Sequence, residues 1–535
     1  MCYDRGMNIL FVSAEVAPFV SVGGLSQVMY FLPQALRKLG HDVRVFTPKY
    51  GTMDETALNK TWKLETEMTE LAVPLDNDPA KALICNIKSY QSKQKNLLAY
   101  FLENREYYEL RANVFGYKDD HTRFALLSKG CLEWLLQSKI KSEKNDSGKQ
   151  KQDLWWPDII HCHDWHTAYL IDFARRNQRY QKLFENTSIV LTVHNFHFQG
   201  NFDFQYAPKE EFDYARDPLA PLDSPHLQKQ NALKRGLIFA DAINTVSQTH
   251  AVEVLTPEYA EGLENVLYEI RAKLTGILNG LDTKLFDPAR DKKIKRKFSS
   301  KSFVRERTEN KKSLQRLFGL PVDSARPLLA LSGRLTKQKG LDLLLEVLPH
   351  LLLEKPELQI VVIGSGDERY RLELGVLKKN FPNQVGLHLR PDFNLPRIVF
   401  SGADMVIIPS IFEPGGIVAL EAMRYGCVPV VRRTGGLNDI VTDFNPSLKS
   451  GNGFSFKNID SWALFGAIIE SLTIYGAPML WKELVKNCML ADFSWNHAAG
   501  EYDRWYKSIV EEKPKLSLSA QTIQKSHQIS QLQKT

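Results

Sequence analysis

Between Ser401 and Ile440 the chain reads SGADMVIIPSIFEPGGIVALEAMRYGCVPVVRRTGGLNDI, and twice within this segment a short apolar run leads into a turn with paired glycines. Met405 to Ile408 has no polar residue and reads as a strand covered on both faces. Phe412-Glu413-Pro414-Gly415-Gly416 reads as the loop after it, and Ile417 to Tyr425 as a helix. Cys427 to Val431 is a second strand, and Arg433-Thr434-Gly435-Gly436-Leu437 a second turn. Strands buried on both faces and separated by helices call for a parallel sheet with helices on either side. Such sheets bind ligands at the carboxyl ends of their strands. Pro414 keeps Glu413 out of helical geometry, so its carboxylate projects at that edge. Gly415 and Gly416 let backbone amides approach an anion at the positive end of the helix, and Thr434 and Gly435 join them as candidate ligand contacts. Glu421 lies eight residues after Glu413, about one turn into the helix, so the two carboxylates can face one ligand from different heights. Singly, Glu413 would read as a helix-dipole partner and Glu421 as a solvated helix residue; two adjacent glycine turns at one sheet edge favour a ligand site.

The remainder of the chain repeats this architecture. From Met7 to about Asp282 apolar runs alternate with amphipathic stretches, with strands expected at Ile9–Ser13, Asp42–Phe46, Ile159–His161, Ile189–Val193 and Ala242–Val246. Leu25 to Leu39 has helical spacing and stops at Gly40, but no GxGxxG precedes it, so a dinucleotide fingerprint is not supported. Further on, Leu328–Leu331 and Gln359–Ile363 join Met405–Ile408 and Val428–Val431 as parallel strands. FSWNHAAGEYDRWYKSIVEE reads as a terminal helix. The expected organisation is a first domain over 7–283, a basic linker over 284–321, a second domain over 322–492, a helix over 493–512 and a disordered tail over 513–535.

At 535 residues, 43% hydrophobic and 24% charged, the chain suits two or three soluble globular domains. Six cysteines without CxxC spacing read as reduced thiols of a cytoplasmic protein. The opening run MNILFVSAEVAPF is too short for a signal peptide or membrane span, and Met7 is a candidate start. The net charge of +7 invites a nucleic-acid reading, but Arg290–Lys312, Lys139–Lys151 and Lys513–Thr535 carry +8, +3 and +4, which leaves the remainder at −8. A body of that sign has no general reason to bind nucleic acid. The basic runs read instead as solvated linker, loop and tail.

LSGRLTKQKGLDLLLEVL sets Arg334 just beyond a strand and Lys339 at the start of the next helix, where both reach the sheet edge that carries Glu413. Cations there suit a developing diphosphate charge, and with them no metal or other cofactor is required. A DxD triplet, Asp76-Asn77-Asp78, lies in a polar turn and reads as a chance loop. HCHDWHTAYL gathers His161, His163 and His166 beside Asp164, which suggests zinc, but strand alternation and the strand-to-helix change should scatter the imidazoles. LTVHNFHFQGNF ends a strand at His194.

The run FEPGGIVALEAMRYG followed by VPVVRRTGGL resembles the nucleotide-sugar half of retaining GT-B glycosyltransferases. From about residue 7 to 512 the chain resembles bacterial glycogen and starch synthases. The resemblance implies an α/β fold with two Rossmann-like, doubly wound domains facing across a cleft and a C-terminal helix returning to the first domain. It implies transfer of glucose from a nucleoside-diphosphate glucose, ADP-glucose by family habit, to an α-1,4-glucan. Arg334 and Lys339 match the family's pyrophosphate-binding pair, and Glu413 the residue on the sugar hydroxyls. His194 and Asp164 match residues against sugar and acceptor, Asn279 in GILNGLD a further cleft residue, and Gly23 and Gly24 a donor cradle. The chain departs from the family where Ser21 and Gln27 replace a lysine and an aspartate in SVGGLSQV, and where Glu421 replaces an often neutral residue. These departures keep open a GT-B transferase using a UDP- or GDP-sugar on another acceptor, and a non-catalytic glucan-binding homologue.

Overall fold

The computed structural model describes residues 6–53, 63–76, 78, 80–92, 97–144, 154–200, 213–392 and 394–511. The chain divides into two compact units. The first takes in the chain to Thr245, Val254–Ile277 and the chain from Trp495; the second takes in Val246–Glu253 and Leu278–Ser494.

The first unit is built on a sheet of nine strands: β1 (Asn8–Val12), β2 (Asp42–Pro48), β3 (Glu65–Pro74), β4 (Ala82–Gln91), β5 (Leu98–Glu103), β6 (Ile159–His163), β7 (Ser188–Val193), β8 (Ala242–Thr245) and β9 (Leu274–Gly276). Their order is β3-β4-β5-β2-β1-β6-β7-β8-β9, and all pairings are parallel except β3 with β4 and β4 with β5. The five strands expected here are present within two residues of their ends; β6, β7 and β8 are buried throughout and β1 after Asn8, while β2 leaves Asp42 and Arg44 half-buried. β3, β4, β5 and the three-residue β9 were not expected. β3 is half exposed and its register against β4 shifts twice, so its sequence carries no clean alternation.

The second sheet holds six parallel strands: β10 (Leu328–Ser332), β11 (Gln359–Ile363), β12 (Val385–His388), β13 (Met405–Ile408), β14 (Val428–Arg432) and β15 (Phe454–Phe456). The order β12-β11-β10-β13-β14-β15 is the doubly wound arrangement in which the winding reverses between the first and fourth strands. In the first sheet β5-β2-β1-β6-β7-β8 follows the same order. Each sheet therefore has a switch point, at β1/β6 and at β10/β13, where the loops leaving two neighbouring strands part and leave a crevice.

Two expectations about charged segments and one about a domain boundary are corrected. The basic stretch 284–321 is no solvated linker, since it belongs to the second unit and contains the helix Phe303–Leu317. Arg307 is buried there and donates to the carbonyl oxygens of Phe400, Ala403 and Tyr425. Lys311 is buried against Asp404 at 2.6 Å and donates to Tyr475 Oη at 3.0 Å. A charge run cannot reveal which of its cations find buried acceptors. Lys139–Lys144 ends a helix, Asp120–Lys144, rather than opening a loop; the rest of that stretch and the tail lie outside the described residues. The boundary near Asp282 also moves, because Val246–Glu253 packs with the second unit.

The helix over 495–511 packs on the first unit, where Trp495, Tyr502 and Tyr506 join its core. Among the described residues no single helix is long and apolar enough to cross a membrane.

Candidate active site

In the second unit, the β10 and β13 loops bring the sequence-predicted charges together at the switch point. Lys339 Nζ donates to Glu413 Oε2, and Ser410 Oγ donates to the same oxygen at 2.9 Å. Arg334, in the turn after β10, is exposed, and its guanidinium donates to Gln338 Oε1 at 3.1 Å. Gln338 is the tie between the two loops: its side-chain amide donates to Phe412 O at 3.3 Å, and its carbonyl accepts from Ile411 N at 2.8 Å. Arg432, buried at the end of β14, donates to the carbonyl oxygens of Ser410, Ile411 and Lys457 and so fixes the approach to Glu413. Sequence reasoning missed Gln338 and Arg432. Their signal is faint, since an uncharged Gln between two lysines and one Arg of a pair look like surface residues.

Gly416 has φ 64° and caps the helix Ile417–Arg424 without any side-chain bond, so the first-turn amides carry no side-chain cap. A Cβ on Gly416 would lie 2.9 Å from Ile440 Cδ1, and one on Gly435, where φ is 44°, 2.3 Å from Glu413 O. Gly436 N donates to the carbonyl oxygens of both Glu413 and Pro414. The glycines of the two turns are thus needed for the turns to close on each other. Thr434 and Gly435, expected as ligand contacts, already have a partner: Glu253 accepts from Thr434 Oγ1 at 2.9 Å and from Gly435 N at 3.0 Å. Asn279 stands beside Gly415, 5% exposed, and its Oδ1 has no partner among the described residues.

Glu421 and Glu413 are held differently. Glu421 is half-buried on the helix that follows Gly416, and burial pushes its carboxyl up to about 7, with Arg397 opposing the shift. At neutral pH it is divided between acid and carboxylate.

In the first unit the corresponding residues follow β1, β6 and β7. Asp164, with φ 58°, turns the chain from β6 into the helix Trp165–Arg176, and its Oδ1 accepts from His194 N at 2.7 Å. Burial raises its pKa. Glu15, unnoticed in the sequence, is 2% exposed and accepts from Val22 N at 2.6 Å and Gly23 N at 3.2 Å. Its pKa is raised, chiefly by burial and in part by Asp164. The signal was a lone carboxylate in an apolar run, a residue rarely buried without partners. Gly23 is therefore held by Glu15, while Gly24 opens the helix Gly24–Lys38. Ser21 and Gln27 are exposed, and Ser21 Oγ lies 2.8 Å from Ser26 Oγ.

The histidines are not scattered as expected. His161 and His163 are two apart on β6, hence on one face, and their ring centres lie 4.2 Å apart. His163 Nδ1 lies 3.1 Å from His194 Nε2. His161 bonds Tyr506 Oη at 2.6 Å and Thr192 Oγ1 at 2.5 Å. Only His166 stands apart, packed on Phe115, Phe124 and Trp165. Burial lowers the pKa of all four, that of His166 to about 3, so they are neutral at neutral pH. Among the described residues no group of three or more His, Cys, Asp or Glu side chains is placed to hold a metal. Asp76 Oδ1 accepts from Asp78 N, as in a simple turn, while Asn77 lies outside the described residues.

Two family models match in tandem: the starch synthase catalytic domain over residues 8–269 and glycosyl transferases group 1 over 317–483. The glycogen synthase of Geobacillus stearothermophilus is 35% identical over 517 residues, covering 95% of this chain and 99% of that one. The chain belongs to the glycogen synthase family. The glycogen synthase of Caldicellulosiruptor saccharolyticus is 36% identical over 508 residues, covering 94% and 100%. Among solved structures, the catalytic domain of starch synthase IV from Arabidopsis thaliana, bound to ADP and acarbose, superposes with a TM-score of 0.76 at 31% identity over 95% of this chain and 100% of that one. A sucrose-phosphate synthase from Thermosynechococcus elongatus, at 18% identity and TM-score 0.53 over 94% and 99%, shares the fold. The fold is thus the GT-B type, and the chain is a glycosyltransferase of the glycogen and starch synthase kind.

Proposed function

We propose that this glycosyltransferase moves glucose from ADP-glucose to the non-reducing end of an α-1,4-glucan with retention of configuration. The observation that carries the reading is the cluster at β10/β13, where Arg334 and Lys339 stand at the amide-rich turn that holds Glu413. Arg334 and Lys339 stabilise the negative charge that gathers on the diphosphate as the bond from the sugar's C1 to the phosphate oxygen breaks. The uncapped first turn after Gly416 adds amide donors to the same anion. Glu413, held by Lys339 and Ser410, accepts from the sugar hydroxyls. The acceptor hydroxyl attacks C1 from the face the diphosphate leaves, and its proton passes to the departing phosphate oxygen. His194 and Asp164 hold sugar and acceptor, and Asn279 offers an unpaired carbonyl oxygen to a hydroxyl. Gly23, Gly24 and Gly415 serve the donor as backbone, and no metal enters the reading. The starch synthase IV bound to ADP and acarbose supports the adenine nucleotide and the glucan.

One observation favours a second reading. Glu421 is a half-buried carboxyl with a pKa near neutrality where the synthases are often neutral, and Ser21 and Gln27 leave the first loop uncharged. Together they fit a GT-B transferase that recognises another nucleoside diphosphate sugar.

The purified protein, incubated with glycogen and separately with ADP-, UDP- and GDP-glucose, decides between them. Diphosphate release and glucose incorporation from ADP-glucose, abolished by Glu413→Ala, are expected. Turnover of UDP- or GDP-glucose alone would establish the second reading.

A further inference from the structure

His163 and His194 face each other nitrogen to nitrogen, and two neutral imidazoles 3.1 Å apart share a single proton between them. There are two ways to place it. If His194 carries it on Nε2, His163 must carry its own proton on Nε2. That atom is buried and has no hydrogen-bond partner among the described residues, so this arrangement strands an N–H donor in the interior. If His163 carries it on Nδ1, His163 Nε2 is left with only an unpaired lone pair. Orphaned buried N–H groups are the rarer and costlier defect. The second arrangement therefore prevails, and it puts the remaining proton of His194 on Nδ1, which, unlike His163 Nε2, is not sealed in the interior without a partner and so can donate to water or a ligand.

The surroundings hold His163 in place. Phe11 lies nearly parallel to it at 5.4 Å, His161 is against it at 4.2 Å, and its backbone N–H donates to Thr167 Oγ1 at 2.6 Å. His161 is in turn fixed by Tyr506 and Thr192, and Asn244 ties Thr192 to Tyr502. The pair also resists protonation. An imidazolium at His194 would need to donate through Nε2, which would force the proton of His163 onto its buried, partnerless Nε2.

We propose that His163 is a positioning residue that fixes His194 as the neutral Nδ1–H tautomer, so that His194 meets the substrate as a hydrogen-bond donor to a sugar oxygen and never as a proton acceptor. The inference rests on the assignment of His194 to the sugar. It adds which atom acts, in which protonation state, and what sets that state. Rate should then be insensitive to any titration of His194 across the neutral range.

The test is long-range 1H–15N correlation spectroscopy on the full chain with labelled histidine, the His194 signals being assigned by their loss in His194→Gln. The expected result is a protonated Nδ1 and a bare Nε2 on His194 from pH 6 to 8. His163→Asn, whose amide can donate from near the place of Nδ1, should keep that pattern and stay within about threefold of wild-type kcat/KM. His163→Leu should return His194 to mixed tautomers and lower kcat/KM about tenfold, the value of one hydrogen bond. A wild-type His194 protonated on Nε2 overturns the inference whether or not the variants fold. Equal kinetics for Asn and Leu, with melting temperatures matched, overturn it as well. Full activity in His194→Ala would overturn instead the assignment of His194 to the sugar.

Discussion

Lys339 gives its ammonium to Glu413 while Arg334 is steered by Gln338, so the two cations proposed for the leaving group are held by different means. Removing either cation should act mainly on the step in which diphosphate charge develops. Lys339→Ala and Arg334→Ala are each expected to lower kcat by about 10²–10³, the cost of one preorganised donor to a developing anion, with smaller changes in KM. Gln338→Leu should lower kcat about tenfold by releasing Arg334, and added guanidinium should not restore it, since the cation is still present. Glu421 provides a pH test. Its pKa is raised from 4.5 to about 7, so between those values the folded chain holds a proton that the unfolded chain has lost. Its contribution is fully present below pH 4.5 and falls as the pH rises to 7, and Glu421→Gln should therefore melt higher than wild type at pH 8 and equally at pH 4.5. The size is at most about 3 kcal/mol, less for the part of the group that water reaches. Glu413, Arg334 and Lys339 were legible in the sequence because charges placed just past apolar strands have one edge to occupy. Glu15 was not, because its partners are backbone amides, which every sequence position offers alike.

At the scale of elements, the turn over 434–437 is kept in place by a carboxylate from far earlier in the chain. Glu253 accepts from Thr434 Oγ1 and Gly435 N, and Thr249 binds Asp439 at 2.5 Å and 2.9 Å. Glu253→Ala leaves a buried hydroxyl and an amide unpaired, and should cost about 2–3 kcal/mol in chemical denaturation of the second unit. The same substitution should weaken donor turnover, because the turn over 434–437 closes on Glu413 through Gly436. The helix Phe303–Leu317 shows what sequence patterning misses. Arg307 and Lys311 belong to a run of eleven cations whose composition says surface, and only the structure reveals the carbonyls and carboxylate that receive them. Arg307→Met should destabilise the unit by about 3–5 kcal/mol, since three carbonyl oxygens lose their donor, and urea titration will measure it. The buried parallel strands were legible because short runs of β-branched and apolar residues bounded by glycine and proline turns fit a strand covered on both faces better than a helix. β3–β5 were not, because their pairing is antiparallel, bulged and half exposed.

For the whole molecule, the two sheets share one winding order, and most of the residues proposed for the reaction follow the strands at the two switch points, with His194 after the neighbouring β7. That order could not be read from the sequence, because it depends on which strands pair. What the sequence did carry was the kind of fold, since apolar strands alternating with helices allow few other solutions. The helix over 495–511 leaves the second unit's chain and completes the first unit's core with Tyr502 and Tyr506. Ending the chain after Ser494 should strip that core and give aggregation on expression, whereas Tyr506→Phe should lower the melting temperature by a few degrees only. The central claim is a retaining transfer from ADP-glucose to an α-1,4-glucan, and it is tested most directly by following ADP-[1-13C]glucose and a maltooligosaccharide with the enzyme by 13C NMR. A new α-1,4 anomeric signal growing as the donor signal falls is the predicted result, and a β-anomeric product, or a donor left unconsumed, would contradict it.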